Sequence, residues 1–237
     1  MRDRRFLLSA FLGLGALLMT AFLWLIGPRQ MGPLPPGFVT PIMAFEFATD
    51  PAELGHLFSV DGAAAAMDRV NRWDFLYMAL YNGFLIAFAL ACARRTGNRY
   101  YNALAALPLL IWFADAMENV QLLAITRVLA ADGIEPILDQ LLPLLDRLQL
   151  FTWLKWGGLA LYFVLLWPYF RSRTGWVRWI GVVGLLPALL AVVALISRGL
   201  ANELMALAIG VMFILMTMYA WHASADSKPL LTYQTGD

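Results

Sequence analysis

The sequence predicts an all-α integral membrane protein: a bundle of six transmembrane helices, with short re-entrant or interfacial helices on the outer side. Of its 237 residues, 61% are hydrophobic and only 14% are charged, and the mean hydropathy is +0.69. Soluble domains are nearer about 45–50% apolar and about 25% charged. The apolar residues also come in long runs, each close to the ~20 residues that a helix needs to cross a ~30 Å hydrocarbon core.

Six runs of this kind are the predicted spans. They cover residues 6–26, 75–93, 102–125, 151–170, 177–196 and 200–221. Arginines precede the first run, as in a signal peptide, but its apolar stretch exceeds the roughly 7–15 residues of a signal core. We therefore predict an uncleaved first helix, one transmembrane domain over residues 1–223 and a polar cytoplasmic tail over residues 224–237.

The placement of basic residues predicts the orientation of the bundle. With the N-terminus inside, the cytoplasmic segments hold ten Arg or Lys residues and the outer segments hold six. The bias is clearest in the short loops 94–99 and 171–178, and short loops are where the positive-inside rule applies best. We therefore predict that both termini are cytoplasmic, and the mirror-image topology is the alternative.

Two connections on the outer side are longer than simple loops. Residues 28–73 begin with PRQMGPLPPG, which cannot form a regular helix, and continue with TPIMAFEFA, which is too short to span. Asp50, Pro51 and Glu53 then supply an N-cap, a proline at the first helical position and an acid in the first turn. Residues 132–148 alternate leucines with charges, which predicts an amphipathic helix lying on the membrane surface.

The third span carries an unusual polar stretch, ADAMENVQLL. Asp115, Glu118 and Asn119 follow the i, i+3, i+4 spacing that places side chains on one face of a helix. The span runs from inside to outside, so these residues lie beyond its middle, towards the outer surface.

The second span enters from the outside and carries polar residues near its start. Asp74, Tyr77 and Tyr81 follow the i, i+3, i+7 spacing of one helical face, and Asn82 lies beside them. Their predicted depth therefore matches that of the acids in the third span.

Two further charges belong at the same depth. Lys155 lies about one turn below the start of the fourth span, and Glu46 belongs to the short apolar segment on the outer side. Asn202 and Glu203, at the start of the sixth span, are interpreted as a solvated helix start. We predict one polar cavity in the outer half of the bundle, formed by Glu46, Asp74, Tyr77, Tyr81, Asn82, Asp115, Glu118, Asn119 and Lys155.

Charge balance constrains such a site. A charge at mid-membrane costs at least ~2.5–3.5 kcal/mol on insertion scales, so the charged groups should face the bundle and pair. We expect Lys155 to pair with Asp115 or Glu118. These two acids, together with Glu46 and Asp74, oppose one base, so either some carboxyls are protonated or a cation completes the balance.

Each candidate also has a structural alternative. Asp74 could cap its helix, the tyrosines could be packing residues, and Lys155 could extend to the outer interface. Glu46 could be an ordinary interfacial acid. For the acids of the third span, the alternative is a polar clamp between helices.

The motifs resemble an uncharacterised family of small bacterial polytopic inner-membrane proteins. The residues that carry the resemblance are AFEFATDPAEL, DFLYMALYNGFLIAFAL, DAMENVQLL and LKWGGLALYFVLL, within residues 41–166. The resemblance implies a multi-pass protein of the bacterial inner membrane and no particular activity. Residues 176–221 fall outside it.

The sequence leaves two classes of function open. It contains no HExxH, GxSxG or phosphate-binding glycine loop, and its net charge of +1 gives no field for nucleic acid. One cysteine and two histidines give no thiol or imidazole metal site. The protein either binds or conducts a proton, a cation or a small polar ligand among membrane lipids, or it is an accessory or scaffold subunit. Catalysis, cofactors and protein partners stay undetermined at this stage.

Overall fold

A computed structural model describes residues 3–132 and 138–225, and every regular element within these ranges is an α-helix. The all-α prediction is therefore confirmed. In chain order the helices are α1 (Arg4–Ile26), α2 (Pro41–Glu46), α3 (Pro51–Leu57), α4 (Ala63–Thr96), α5 (Tyr100–Leu104), α6 (Leu107–Asp132), α7 (Leu138–Arg171), α8 (Val177–Val183), α9 (Leu186–Ile196) and α10 (Leu200–Ala225).

Six stretches of the described chain are long and apolar enough to cross a membrane, as the sequence predicts. They are α1, α4, α5 with α6, α7, α8 with α9, and α10. The third and fifth spans are each interrupted where a new helix begins, and Pro108 and Pro187 stand near those starts. Proline suits the first turn of a helix because its missing N–H would have no helical partner there.

The predicted surface helix over residues 132–148 is wrong as a separate element. Helix α7 begins at Leu138 and continues through Pro143 into the fourth span without a break. Leu141, Leu145 and Leu148 lie on one face and are fully or almost fully buried, so this leucine face packs into the bundle and not onto a membrane surface. Residues 133–137 of the predicted segment, and all but the first two residues of the predicted tail, lie outside the described residues.

The two ends of the bundle differ in their connections. Residues 27–62, which include α2 and α3, form a segment that we call the strap, and the end that carries it is the strap end. There the ring of Phe22 packs edge-on against Trp73, with centroids 5.4 Å apart. At the opposite end, Asp3 N donates to Ser224 O over 3.0 Å. We call it the arginine end, because its helix termini and loops carry Arg94, Arg95, Arg99, Arg171 and Arg173.

The strap is fixed at both of its short helices. Asp50 accepts a hydrogen bond from Ala52 N at 2.7 Å, which confirms the predicted N-cap of α3. Glu203 accepts hydrogen bonds from the backbone N–H groups of Val39 at 2.9 Å and Thr40 at 2.7 Å, just before α2. Glu203 is therefore a tether for the strap and not the solvated acid that the sequence suggested.

Candidate functional site

The centre of the candidate site is the ammonium group of Lys155, on the inner face of α7. Its Nζ lies 3.1 Å from Glu46 Oε2 and 3.5 Å from Asp115 Oδ1, and it hydrogen-bonds to Glu118 Oε2. The residue is 6% exposed, so it does not extend to an interface. The predicted pairing of Lys155 with Asp115 or Glu118 is confirmed with both partners. We call these four residues the carboxylate cluster.

Neighbouring side chains also donate to the three carboxylates. The hydroxyl of Tyr81 donates to Asp115 Oδ2, and Trp156 Nε1 donates to Glu46 Oε2 at 2.8 Å. Thr152 Oγ1 lies 2.5 Å from Glu118 Oε1 and 3.1 Å from the backbone oxygen of Glu46, and its single proton serves one of them at a time. The side chains therefore contact one another directly and form a polar core within the bundle.

The cluster carries an excess of negative charge. One ammonium against three carboxylates leaves a formal charge of −2 when every carboxyl is ionised. Glu118 is 0% exposed and Asp115 is 3% exposed, so water does not stabilise these charges. Burying an unpaired charge costs several kcal/mol or more, and a protein commonly avoids that cost by binding a proton.

A second branch of polar contacts lies beside the cluster. Asn119 Nδ2 donates to Asp74 Oδ2 at 2.8 Å and to the backbone oxygen of Asn71 at 3.2 Å. Helix α4 begins at Ala63, about three turns before Asp74, so the alternative in which Asp74 caps this helix is wrong.

Two predicted site residues lie at the edge of this network. The ring of Tyr77 packs against that of Tyr81 with centroids 5.1 Å apart. Asn82 Nδ2 donates to the carbonyl of Met78 in its own helix at 2.9 Å. Tyr77 is therefore a neighbour of the cluster through Tyr81, whereas the amide nitrogen of Asn82 binds within its own helix.

Close packing of α6 against α7 brings the charges together. A Cβ atom on Gly158 would lie 2.8 Å from Cγ1 of Ile111, which is too close for a real contact, whereas one on Gly157 would meet no atom within 4 Å. Small residues allow helices in membranes to approach closely. Gly158, one turn beyond Lys155, therefore sets the separation between the lysine-bearing and acid-bearing helices.

The sequence did not identify Thr152, Trp156 and Gln149 as site residues. Gln149 Nε2 donates to the backbone oxygen of Ala48 at 2.7 Å and so holds the strap that supplies Glu46. Thr152 precedes Lys155 by three residues, so helical spacing places it on the face of Lys155, whereas Gln149, six residues before Lys155, lies roughly 120° around the helix. Nothing in the spacing indicates that a loop would lie against that face.

The described residues contain no group of three or more His, Cys, Asp or Glu side chains arranged to hold a metal ion. Comparisons of the chain with protein-family models, with curated proteins and with solved structures give no match. The geometry of the carboxylate cluster is therefore the basis on which a function can be argued.

Proposed function

We propose that this multi-pass membrane protein binds protons at the carboxylate cluster. The observation that carries the proposal is that three buried carboxylates, from Glu46, Asp115 and Glu118, share the single ammonium of Lys155. The surplus negative charge needs neutralisation, because all four side chains are buried.

A proton suits this surplus better than a larger cation does. Lys155 already occupies the position between the carboxylates, and a hard cation such as Mg²⁺ or Ca²⁺ needs about six or more oxygen ligands around a centre of its own. A proton needs only one carboxyl oxygen. Tyr81 and Thr152 donate to the second oxygens of Asp115 and Glu118, and Trp156 donates to the Glu46 oxygen that faces Lys155, so hydrogen bonds hold each acid in place.

Infrared difference spectroscopy of the reconstituted protein tests the proposal, because protonated carboxyl groups have their own C=O stretching band. Between about pH 5 and pH 9, exposed carboxyls with ordinary pKa values near 4 are ionised and contribute little. We expect a pH-dependent band in the wild type that weakens in Glu118→Gln and persists in Asp68→Asn, which changes an acid nearer the rim. A wild-type band that none of Glu46→Gln, Asp115→Asn and Glu118→Gln affects would contradict the proposal.

A second candidate function is an accessory or scaffold subunit in which the cluster clamps the bundle. Its support is that Lys155, Thr152 and Trp156 of α7 bind Glu46 of the strap and Glu118 of α6 at once. In that case Glu118→Gln lowers the midpoint of thermal unfolding in detergent and the wild type gives no pH-dependent carboxyl band. The two candidates are therefore separated by the infrared signal of the wild type.

We further propose that the protein resides in a bacterial inner membrane, with both termini cytoplasmic and the strap end outward. The support is the bias of arginines to the loops at the other end. A reporter enzyme that is active only in the periplasm, fused after Asp237, should be inactive. Activity of this fusion would contradict the proposed orientation and favour the mirror-image topology.

A further inference from the structure

On the arginine-end side of the cluster, the bundle is filled by aromatic rings. Phe84 and Phe88 follow Tyr81 along α4, and Phe163 follows Lys155 along α7, so all three lie nearer the arginine end. Their rings and that of Phe213 in α10 are buried. We call these four residues the phenylalanine plug.

The plug adjoins the cluster through direct ring contacts. Beside these rings, the hydroxyl of Tyr162 donates to the backbone oxygen of Leu85 at 2.7 Å, and Asn82 Oδ1 and Thr217 Oγ1 have no hydrogen-bond partner among the described residues. The ring of Phe213 stacks on Tyr81 with centroids 5.8 Å apart, and it meets Phe84 at 5.8 Å and Phe163 at 6.2 Å. Phe84 in turn meets Phe88 at 6.1 Å. Close-packed rings provide neither hydrogen-bonding groups nor room for a chain of water molecules, both of which a proton needs in order to move.

On the strap-end side, polar groups continue from the cluster towards the rim of the bundle. Asn119, which follows Glu118, binds Asp74, and it also binds the backbone of Asn71 one turn nearer the strap end. One turn further on, Asp68 accepts a hydrogen bond from Thr126 at 2.5 Å, and its side chain is 21% exposed.

The side chain of Asn71 belongs to this line of polar groups. Its Nδ2 is buried and has no hydrogen-bond partner among the described residues. A buried amide donor of this kind is normally satisfied by a protein group or an ordered water. Along α4, Asn71 follows Asp68 at the rim by one turn and precedes Asp74 by one turn, so its unpartnered amide belongs to the same line of polar residues.

We infer that the carboxylate cluster exchanges protons with the strap end only, by way of Asn71, Asp74 and Asn119, while the phenylalanine plug closes the arginine-end side. This inference rests on the proposed proton binding and adds a direction to it. A site that is open to one side follows the pH on that side and does not conduct protons across the membrane.

Trp156 supplies a reporter for the test, since its indole touches Glu46 and the Lys155 ammonium lies 5.0 Å from its ring centre. The protein is reconstituted into lipid vesicles, and the cluster signal is the tryptophan fluorescence of the wild type minus that of Trp156→Phe. A cysteine introduced as Asp61→Cys, at the strap end, reports through an impermeant thiol reagent how many molecules have that end outward. The native Cys92 is buried and should not react.

An acid pulse outside the vesicles should change the signal at once in the labelled fraction only. An immediate change in every molecule, or in the unlabelled fraction, overturns the one-sided route. Proton flux through wild-type vesicles above that of protein-free vesicles also overturns it. If the signal stays constant after an ionophore has equalised the pH on both sides, the proposed function itself fails, and the inference fails with it.

A substitution on the route sharpens the test. Asn71→Leu removes one hydrogen-bonding step and leaves the backbone oxygen that binds Asn119, so the response should slow about tenfold, as for the loss of about one hydrogen bond from the barrier. Met78→Leu, which replaces a buried apolar residue of the same helix at similar volume, should respond at the wild-type rate. A response of Asn71→Leu as fast as that of Met78→Leu would remove Asn71 from the route.

Discussion

The strap-end half of the bundle and its arginine-end half bury their charged side chains in different ways. In the strap-end half, the ammonium of Lys155 is enclosed by carboxylates. In the arginine-end half, the guanidinium of Arg173 lies 4.3 Å over the ring of Tyr169, and that of Arg95 lies 4.6 Å over Phe6. The surrounding rings pack edge-to-face, and a hydroxyl pair joins Tyr169 to Tyr219 over 2.7 Å.

The difference shows which kind of change each half should tolerate. The strap-end half depends on the balance of a few charges, so replacing one charged side chain leaves its buried partners unpaired. The arginine-end half depends on the volume and shape of its rings, and stacking of a cation on a ring contributes about 0.5–2 kcal/mol. Substitutions that change a charge or its hydrogen bonds should therefore lower stability more in the strap-end half than in the arginine-end half.

The largest expected effect is that of Lys155→Met. Among the residues that the structure describes, this change removes the only ammonium that contacts the three carboxylates, and breaking a buried ion pair by deleting one partner costs about 3–5 kcal/mol. We expect a marked fall in the midpoint of thermal unfolding in detergent. Leu154→Met, at the neighbouring exposed position, should leave the midpoint almost unchanged.

A double variant makes the same prediction stricter. Adding Glu118→Gln to Lys155→Met removes one of the unpaired charges, so the double variant should lose less stability than the two single losses added together. Strict additivity would indicate that the two residues do not stabilise each other.

A smaller effect comes from one substitution made in both halves. Tyr81→Phe removes the donor to Asp115 and should cost about 1.5–3 kcal/mol, as for a hydrogen bond to a charged group. Tyr169→Phe breaks a neutral hydroxyl pair and should cost about 1 kcal/mol. Chemical denaturation of both variants in the same detergent measures the difference, and an equal or larger loss in Tyr169→Phe would deny the contrast between the halves.

The smallest expected effect concerns the spacing of α6 and α7. In Gly158→Ala the new Cβ collides with Ile111, and overpacking costs about 1–3 kcal/mol, partly offset by the gain of about 1 kcal/mol for alanine in a helix. We expect a net loss of stability of about 1 kcal/mol for Gly158→Ala, together with a weaker cluster signal from Trp156. Gly157→Ala, with open space around the new atom, should lose nothing, and equal losses in both would contradict this account of the helix spacing.

Periodicity and depth were sufficient to predict much of this molecule. Apolar runs locate the six spans, and helical spacing with opposite chain directions brings Lys155 to Asp115 and Glu118. These patterns do not predict where a helix begins when it extends beyond its apolar run. Helix α4 begins at Ala63, because the alanine-rich stretch before Trp73 favours a helix without being apolar enough to indicate a span.

The position of the strap was beyond sequence reasoning for a different physical reason. Its course depends on single contacts between distant residues, such as Glu203 with Thr40 and Gln149 with Ala48. It also needs Gly37 and Gly199, both with positive φ, packed against each other. Contacts of this kind have no period, so a sequence pattern indicates that Glu46 lies on that side but not that it touches Lys155.

The order of the charged helices along the chain has a consequence for biogenesis. Asp115 and Glu118 belong to α6, and Lys155 belongs to α7, the next helix to leave the ribosome. Each charge alone would oppose entry into the bilayer by at least ~2.5–3.5 kcal/mol, whereas a hairpin that enters as one unit carries its acids and its base already paired. The translocon therefore receives the opposing charges of the cluster as neighbours, and the chain need not wait for the last helices before its most polar span can be released into lipid.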